Sequence, residues 1–226
     1  MEEEGYDRGA AAAALVAGVD FGPGLTTVAQ RMATGLDSFA LLAIPLFVLA
    51  GQLMNRGGVA QRLVDLARIL MAGVPNRLAQ VNIAACTLFG AISGSAVAAA
   101  SAIGGLLAPR MEEEGYDRGA AAAVNVASAT VGLLIPPSNV LIVYSLASGG
   151  VSVAALFLAG YVPGLLVALA LMVATALRRK GMPAVAVTAR RRGERRRALW
   201  RALPSLLLPV FVLGGILAGA FTPTEA

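Results

Sequence analysis

Long uncharged stretches alternate along this chain with short charged ones, and their spacing predicts its elements. Residues 38–55, 78–109, 119–177 and 202–224 contain no Asp, Glu, Lys or Arg, and about 20 apolar residues in a row cross a bilayer as a helix. Residues 38–54 predict a first span, kinked at Pro45; intramembrane proline is tolerated where neighbours satisfy the freed carbonyl. A turn at 55–58 follows. Over residues 59–71 the apolar Val59, Leu63, Val64, Leu66, Ala67, Leu70 and Met71 recur every three to four positions, with Gln61, Arg62, Asp65 and Arg68 between them. That period predicts an amphipathic helix lying in the membrane interface, as an arm or lateral support.

The 32 uncharged residues of 78–109 are too many for one straight helix and too few for two full spans with a turn. A re-entrant hairpin fits that length. Its tip is predicted at Ser93, Gly94 and Ser95, the cluster of helix-weakening polar residues in the run, and irregular backbone at that depth must be buried in protein or line a cavity. Residues 109–118 read as a charged, exposed connection. The 59 uncharged residues of 119–177 divide at the turn LASGGVS into 119–147 and 153–177. The first part holds GLLIPPSN at 132–139, whose double proline removes two amide donors and disfavours helix before it. It is predicted as two half-helices joined by unwound chain. The final span is 202–220.

Composition supports a membrane location, with 58% hydrophobic and 14% charged residues and a mean hydropathy of +0.75, where soluble domains carry about 25% charge. The net charge of +5 has one main source: residues 178–201 hold ten Lys or Arg against one Glu, between two apolar segments. This is a cytoplasmic loop rather than a nucleic-acid surface. Counting from it puts 146–152 in the periplasm, 109–118 in the cytoplasm, both ends of the hairpin in the cytoplasm and 222 onward in the periplasm. Arg56, Arg62, Arg68 and Arg77 then also fall on the cytoplasmic side.

The chain has no histidine and no paired carboxylates within its apolar runs, so enzymatic acid–base chemistry is not expected. The single Cys86 reads as a small packing residue. Residues 1–13, MEEEGYDRGAAAA, recur unchanged at 111–123. Structural repeats diverge while keeping a pattern, so the copy reads as a duplication, a recombination scar or an assembly error. It is no signal peptide, because its first charges are acidic. Residues 9–19 are too short to span alone, and 19–37, with Gly22, Pro23, Gly24 and Gly35, read as a loop holding a short helix at 25–32.

Five segments together resemble the large permease (DctM-type) subunit of tripartite ATP-independent periplasmic (TRAP) transporters. They are LLAIPLFVLAGQLMNRGG (41–58), LFGAISGSAVAAASAIG (88–104), GYDRGAAAAVNVASATVGLLIPPSN (115–139), ALFLAGYVPGLLVALALMV (155–173) and GGILAGAFTPTEA (214–226). The resemblance covers residues 35–226. It implies the N-terminal half of a subunit about twice this length, with FTPTEA near its middle. Ala99 stands where many members carry an acidic or polar residue.

The implied fold is an all-α, polytopic membrane protein, in which re-entrant hairpins and broken transmembrane helices of two inverted repeats form an elevator-type transporter. The implied function is sodium-coupled uptake of a carboxylate or related organic acid across the bacterial inner membrane. A periplasmic solute-binding protein would deliver the solute and a small membrane subunit would complete the complex. Residues 1–37 form an atypical N-terminus, 38–77 a scaffold span and interfacial helix, 78–147 the transport-domain hairpin and broken helix, and 148–226 scaffold helices with the basic loop 178–201.

A helix broken inside the membrane exposes carbonyl oxygens from its first half and amide hydrogens from its second, a cation site beside an anion site. Candidate ion- and substrate-binding residues are Ser93, Gly94 and Ser95 at the tip and Gly132, Pro136, Pro137, Ser138 and Asn139 at the break. Asn125, Ser128 and Thr130 lie on the helix leading into it, where hydrogen bonding between helices is an equal alternative. Ser95 and Ser138 are the expected sodium ligands. Proton coupling calls for a buried ionisable group, which these spans lack, so sodium is the expected coupling ion and no other cofactor is. Two other readings stay open: an elevator-type sodium/dicarboxylate transporter needing no binding protein, and a non-transporting fragment.

Overall fold

The structure is a computed structural model that describes residues 26, 29–30, 43–148, 151–178 and 192–220. The architecture below is that of the compact unit Ala40–Ala226. Of the helix expected at 25–32, Thr26, Ala29 and Gln30 are described and are helical. The first copy of the repeated segment and the span's residues 38–42 lie outside the described residues, as does most of the basic segment.

Every regular element among the described residues is an α-helix. They are α1 (Ala43–Arg56), α2 (Val59–Leu70), α3 (Arg77–Ser93), α4 (Ala96–Glu113), α5 (Arg118–Leu134), α6 (Asn139–Ala147), α7 (Val153–Leu177) and α8 (Arg192–Leu217). At the centre stands α3, which buries nearly its whole circumference, Gln80 and Asn82 included. It packs against α5, α4, α2 and α7, while α8 lies along α2. The amphipathic period of α2 is realised in the buried Ala60, Leu63, Val64, Leu66 and Ala67, of which all but Leu66 join residues of α3 and α4 in the main core cluster.

The longest uncharged helix, α7, shows what kind of surface this is. Only Phe157, Gly160, Gly164, Ala168 and Thr175 are buried, a narrow stripe of one residue per turn. Leu158, Val162, Leu165, Leu166, Leu169, Val173 and Leu177 are exposed. A soluble monomer does not leave so long an apolar face uncovered, but lipid covers it. Both α7 and residues Leu199–Ile216 of α8 are long and apolar enough to cross a membrane, and α5 with α6 forms a third candidate span, bent by 51° at its break.

Local chemistry sets the ends. Ser152 caps α7, accepting from the Ala155 amide at 3.4 Å, and Asp117 caps α5 through the Ala120 amide at 3.1 Å. The second copy of the repeated segment is a helix stop followed by a helix start. Gly115 takes φ 88°, its amide bonds Glu112 O, and the Tyr116 amide reaches back to Met111 O at 2.9 Å, closing a Schellman motif. Tyr116 and Met111 pack together beneath it. The Tyr116 hydroxyl is buried facing the Leu78 and Ala79 amides but out of hydrogen-bonding geometry; burial raises its pKa, an effect those amides partly offset.

Two boundaries differ from the sequence reading. The helix of the hairpin's second arm passes through Pro109 and ends at Glu113, so the connection is shorter than 109–118. A proline forfeits one amide and presses on the carbonyl four residues back, here that of Gly105, and the helix nonetheless continues for one more turn. The last helix begins at Arg192 rather than at 202, taking in part of what was read as loop 178–201. Its first residues, RGERRRALWR, are mostly good helix formers, and charge is no obstacle to helix outside the hydrocarbon.

Candidate functional site

The tip of the hairpin is built by Gly94 and Ser95. Helix α3 ends where Gly94 adopts a left-handed conformation, φ 60°, its amide still bonded to Gly90 O at 2.8 Å. Ser95 then caps α4 by accepting from the Ala98 amide at 3.3 Å. Nothing but glycine fits at the turn. An added Cβ on Gly94 would lie 2.6 Å from the carbonyl oxygen of Pro137 and 3.3 Å from Cα of Ser138. The tip is therefore seated directly on the break between α5 and α6, and the Asn139 amide donates to Gly94 O at 3.4 Å.

The break spans Ile135 to Ser138. Pro136 and Pro137 have no amide to give to Gly132 O and Leu133 O, so the last turn of α5 loses its ladder there. Ser138, 1% exposed, repairs one vacancy by donating its hydroxyl to Leu133 O at 2.5 Å. A hydroxyl that donates keeps its lone pairs for another partner. The side-chain oxygen Oδ1 of Asn139 is enclosed and has no hydrogen-bond partner among the described residues. The tip and the break thus contribute the Gly94 and Pro137 carbonyls, the hydroxyls of Ser93, Ser95 and Ser138 and the Asn139 side-chain amide, none of them charged.

Three close approaches hold this junction. Gly90 of α3 and Gly132 of α5 cross backbone to backbone; a Cβ on Gly90 would sit 2.2 Å from Cα of Gly132. Gly132 thus serves the crossing. Gly160 and Gly164 of α7 receive the break from the other side, where added Cβ atoms would meet Leu134 O at 2.5 Å and Ile135 Cγ1 at 2.6 Å. Asn125 ties the hairpin together: its Nδ2 donates to Ala100 O on α4 at 3.0 Å and its Oδ1 accepts from Asn82 on α3 at 3.3 Å. Gly104 leaves the space it occupies.

The other two polar residues leading into the break turn back on their own helix. Ser128 donates to Val124 O, and the exposed Thr130 donates to Ala127 O at 2.7 Å. The structure thus gathers Ser93, Gly94, Ser95, Pro136, Pro137, Ser138 and Asn139 at one junction and leaves Asn125, Ser128 and Thr130 in interhelical or local bonds. The Ser95 hydroxyl belongs to the cap of α4 and lines a cavity toward α1, while the Ser138 hydroxyl is turned to Leu133 O.

That cavity, of about 480 Å³, was not expected. Gln52, Asn55 and Arg56 of α1 face Ser93, Ser95 and Ser101 across it. Gln52, Asn55 and Arg56 follow the i, i+3, i+4 spacing of one helix face, which was the available signal. The approach of α1 is close: a Cβ on Gly51 would lie 3.3 Å from Cβ of Ser93.

A bundle of apolar helices with a serine- and glycine-tipped hairpin set against a proline-broken helix defines a membrane protein of the permease class. The model of the family described as "Tripartite ATP-independent periplasmic transporter, DctM component" matches residues 1–226. Among similar proteins, "Uncharacterized protein YgiK" of Salmonella typhimurium is 58% identical over 205 residues, 89% of this chain and 46% of that protein. The sialic acid TRAP transporter large permease protein SiaM of Vibrio cholerae is 42% identical over 205 residues (90% and 47%). The C4-dicarboxylate TRAP transporter large permease protein DctM of Pseudomonas aeruginosa is 44% identical over 194 residues (84% and 44%). The chain belongs to the DctM family of TRAP transporter large permeases, and it spans about half the length of these relatives.

Proposed function

We propose that this chain takes part in sodium-coupled uptake of a carboxylate or related organic acid, and that the tip–break junction holds the coupling ion. The observation that carries this reading is the junction itself: the tip meets the break at Gly94 O and the Asn139 amide, 3.4 Å apart, and the Asn139 side chain there keeps a buried Oδ1 with no partner among the described residues. Neutral carbonyls and hydroxyls suit an alkali cation, whereas a site for protons needs a titratable group. Two of the relatives above are named as permeases for sialic acid and for C4-dicarboxylates, both carboxylates, which supports the solute class. The cavity beside the tip, with Arg56 and the amides of Gln52 and Asn55 on one wall, suits the passage of an anion.

In this reading the protein is multi-pass in the inner membrane, with residues 178–201 on the cytoplasmic side. It works with a small membrane subunit and a periplasmic binding protein. The hairpin is re-entrant and moves, elevator-fashion, against α1 and α2. Helix α7, grouped with the scaffold, is tied to the hairpin's first arm and to the break. Asn76, just before α3, and Gln80 of α3 donate to the Arg178 and Met172 carbonyls at the end of α7, at 2.9 and 2.8 Å, and Gly160 and Gly164 clasp the break.

Uptake into proteoliposomes by the permease assembly that contains this chain tests the proposal. Accumulation of a labelled carboxylate should require an inward sodium gradient and the binding protein. Uptake driven equally well by a proton gradient without sodium would contradict it.

A further inference from the structure

A second cavity, of about 590 Å³, opens between α5 and α7 and takes no part in the junction. Ala120, Ala123 and Ala127 of α5 and Ala174 of α7 line it, and Asp117 and Arg178 stand at one end, because α5 starts where α7 finishes. Its uncharged polar groups are already spent. Ser128 bonds Val124 O, and Thr175 bonds Leu171 O while accepting from Gln80 at 3.0 Å. The interior therefore offers water nothing and a hydrocarbon chain a smooth, small-residue wall.

Length and charge name the occupant. From Asp117 to Ser128 the groove follows α5 for about 16 Å at 1.5 Å per residue, half the depth of a hydrocarbon core of about 30 Å. One leaflet of lipid matches that reach. At the charged end, Arg118 is paired with Glu112 at 3.1 Å, whereas Arg178 has no ion pair among the described residues. Asp117 spends its Oδ2 on the cap of α5 and keeps a second carboxylate oxygen. A cation and an anion flanking one groove mouth complement a zwitterionic headgroup, and basic pockets between transmembrane helices are known to hold lipid phosphates.

We propose that the groove between α5 and α7 is a phosphatidylethanolamine site, with one acyl chain along the alanines, the phosphate at Arg178 and the ammonium at Asp117. The occupant holds the two helices together from the lipid side.

Native mass spectrometry of the protein, purified in mild detergent, stripped of lipid and titrated with phosphatidylethanolamine or phosphatidylglycerol, provides the test. The wild type should retain one phosphatidylethanolamine. Arg178→Gln should weaken it about tenfold, as should filling the groove with Ala123→Leu and Ala127→Leu together. Asp117→Asn keeps the helix cap and should abolish the preference over phosphatidylglycerol while leaving binding of the latter unchanged. Because Arg178→Gln and Asp117→Asn leave the groove's shape alone, they report even if the double variant fails to fold. Equal lipid retention in wild type, Arg178→Gln and Asp117→Asn would overturn the proposal. So would a wild type that retains no lipid, as expected of a groove closed by a protein segment or a second copy.

Discussion

Gly94 is constrained both in conformation and in space at the candidate ion site. Its φ of 60° costs an L-residue about 1–2 kcal/mol, and a methyl group there would press on Pro137 O at 2.6 Å. Gly94→Ala is therefore expected to separate the tip from the break without altering the apolar runs that direct insertion. Immunoblots of the membrane fraction should find normal amounts, and uptake should fall at least tenfold; wild-type uptake would mean that the close contact is dispensable. At the same scale Ser128 and Thr130 show where sequence reading runs out. A hydroxyl two turns before a break looks available for an ion, but its own helix offers a carbonyl one turn back, and both residues take it.

Among the elements, those whose ends are marked by charge or a cap were legible. Helix α7 runs over Val153–Leu177 as read, because Ser152 caps one end and Arg178 closes the other. The break fell at the double proline for the reason the sequence gives, since two missing amides cannot be replaced within a helix. The extension of α4 through Pro109 was not legible, because a proline followed by charged residues reads locally as a helix end. The tie between Asn82 and Asn125 joins residues 43 apart in the chain and leaves no local signature. That tie supports the hairpin and lies outside the junction. Asn125→Ala leaves Asn82 short of a partner and should cost about 1–2 kcal/mol. In a thermal-melt assay the midpoint should drop, with the sodium concentration for half-maximal uptake unchanged. A shifted sodium dependence with unchanged melting would move Asn125 into the ion site.

For the molecule as a whole, the question is which body moves. Cβ atoms at 51 and 93 would stand 3.3 Å apart, close to the 3.5–4.5 Å of a disulfide, so Gly51→Cys with Ser93→Cys should cross-link α1 to the hairpin tip on oxidation. If the tip travels against α1, oxidised protein should stop transporting and reduction should restore uptake. Undiminished uptake by the oxidised protein would rule out that motion. The native Cys86 is buried and should not interfere.

The central claim is that tip and break jointly hold sodium, and sodium-titrated uptake addresses it most directly. Ser95→Ala, Ser138→Ala and Asn139→Ala each remove one neutral oxygen from the junction. Each should raise the sodium concentration for half-maximal uptake about tenfold, equivalent to about 1.4 kcal/mol. Thr130→Ala, which removes a hydroxyl engaged only with its own helix, should leave the curve unchanged. Superimposable sodium curves for the wild type and the three junction variants would contradict the account and place the ion elsewhere.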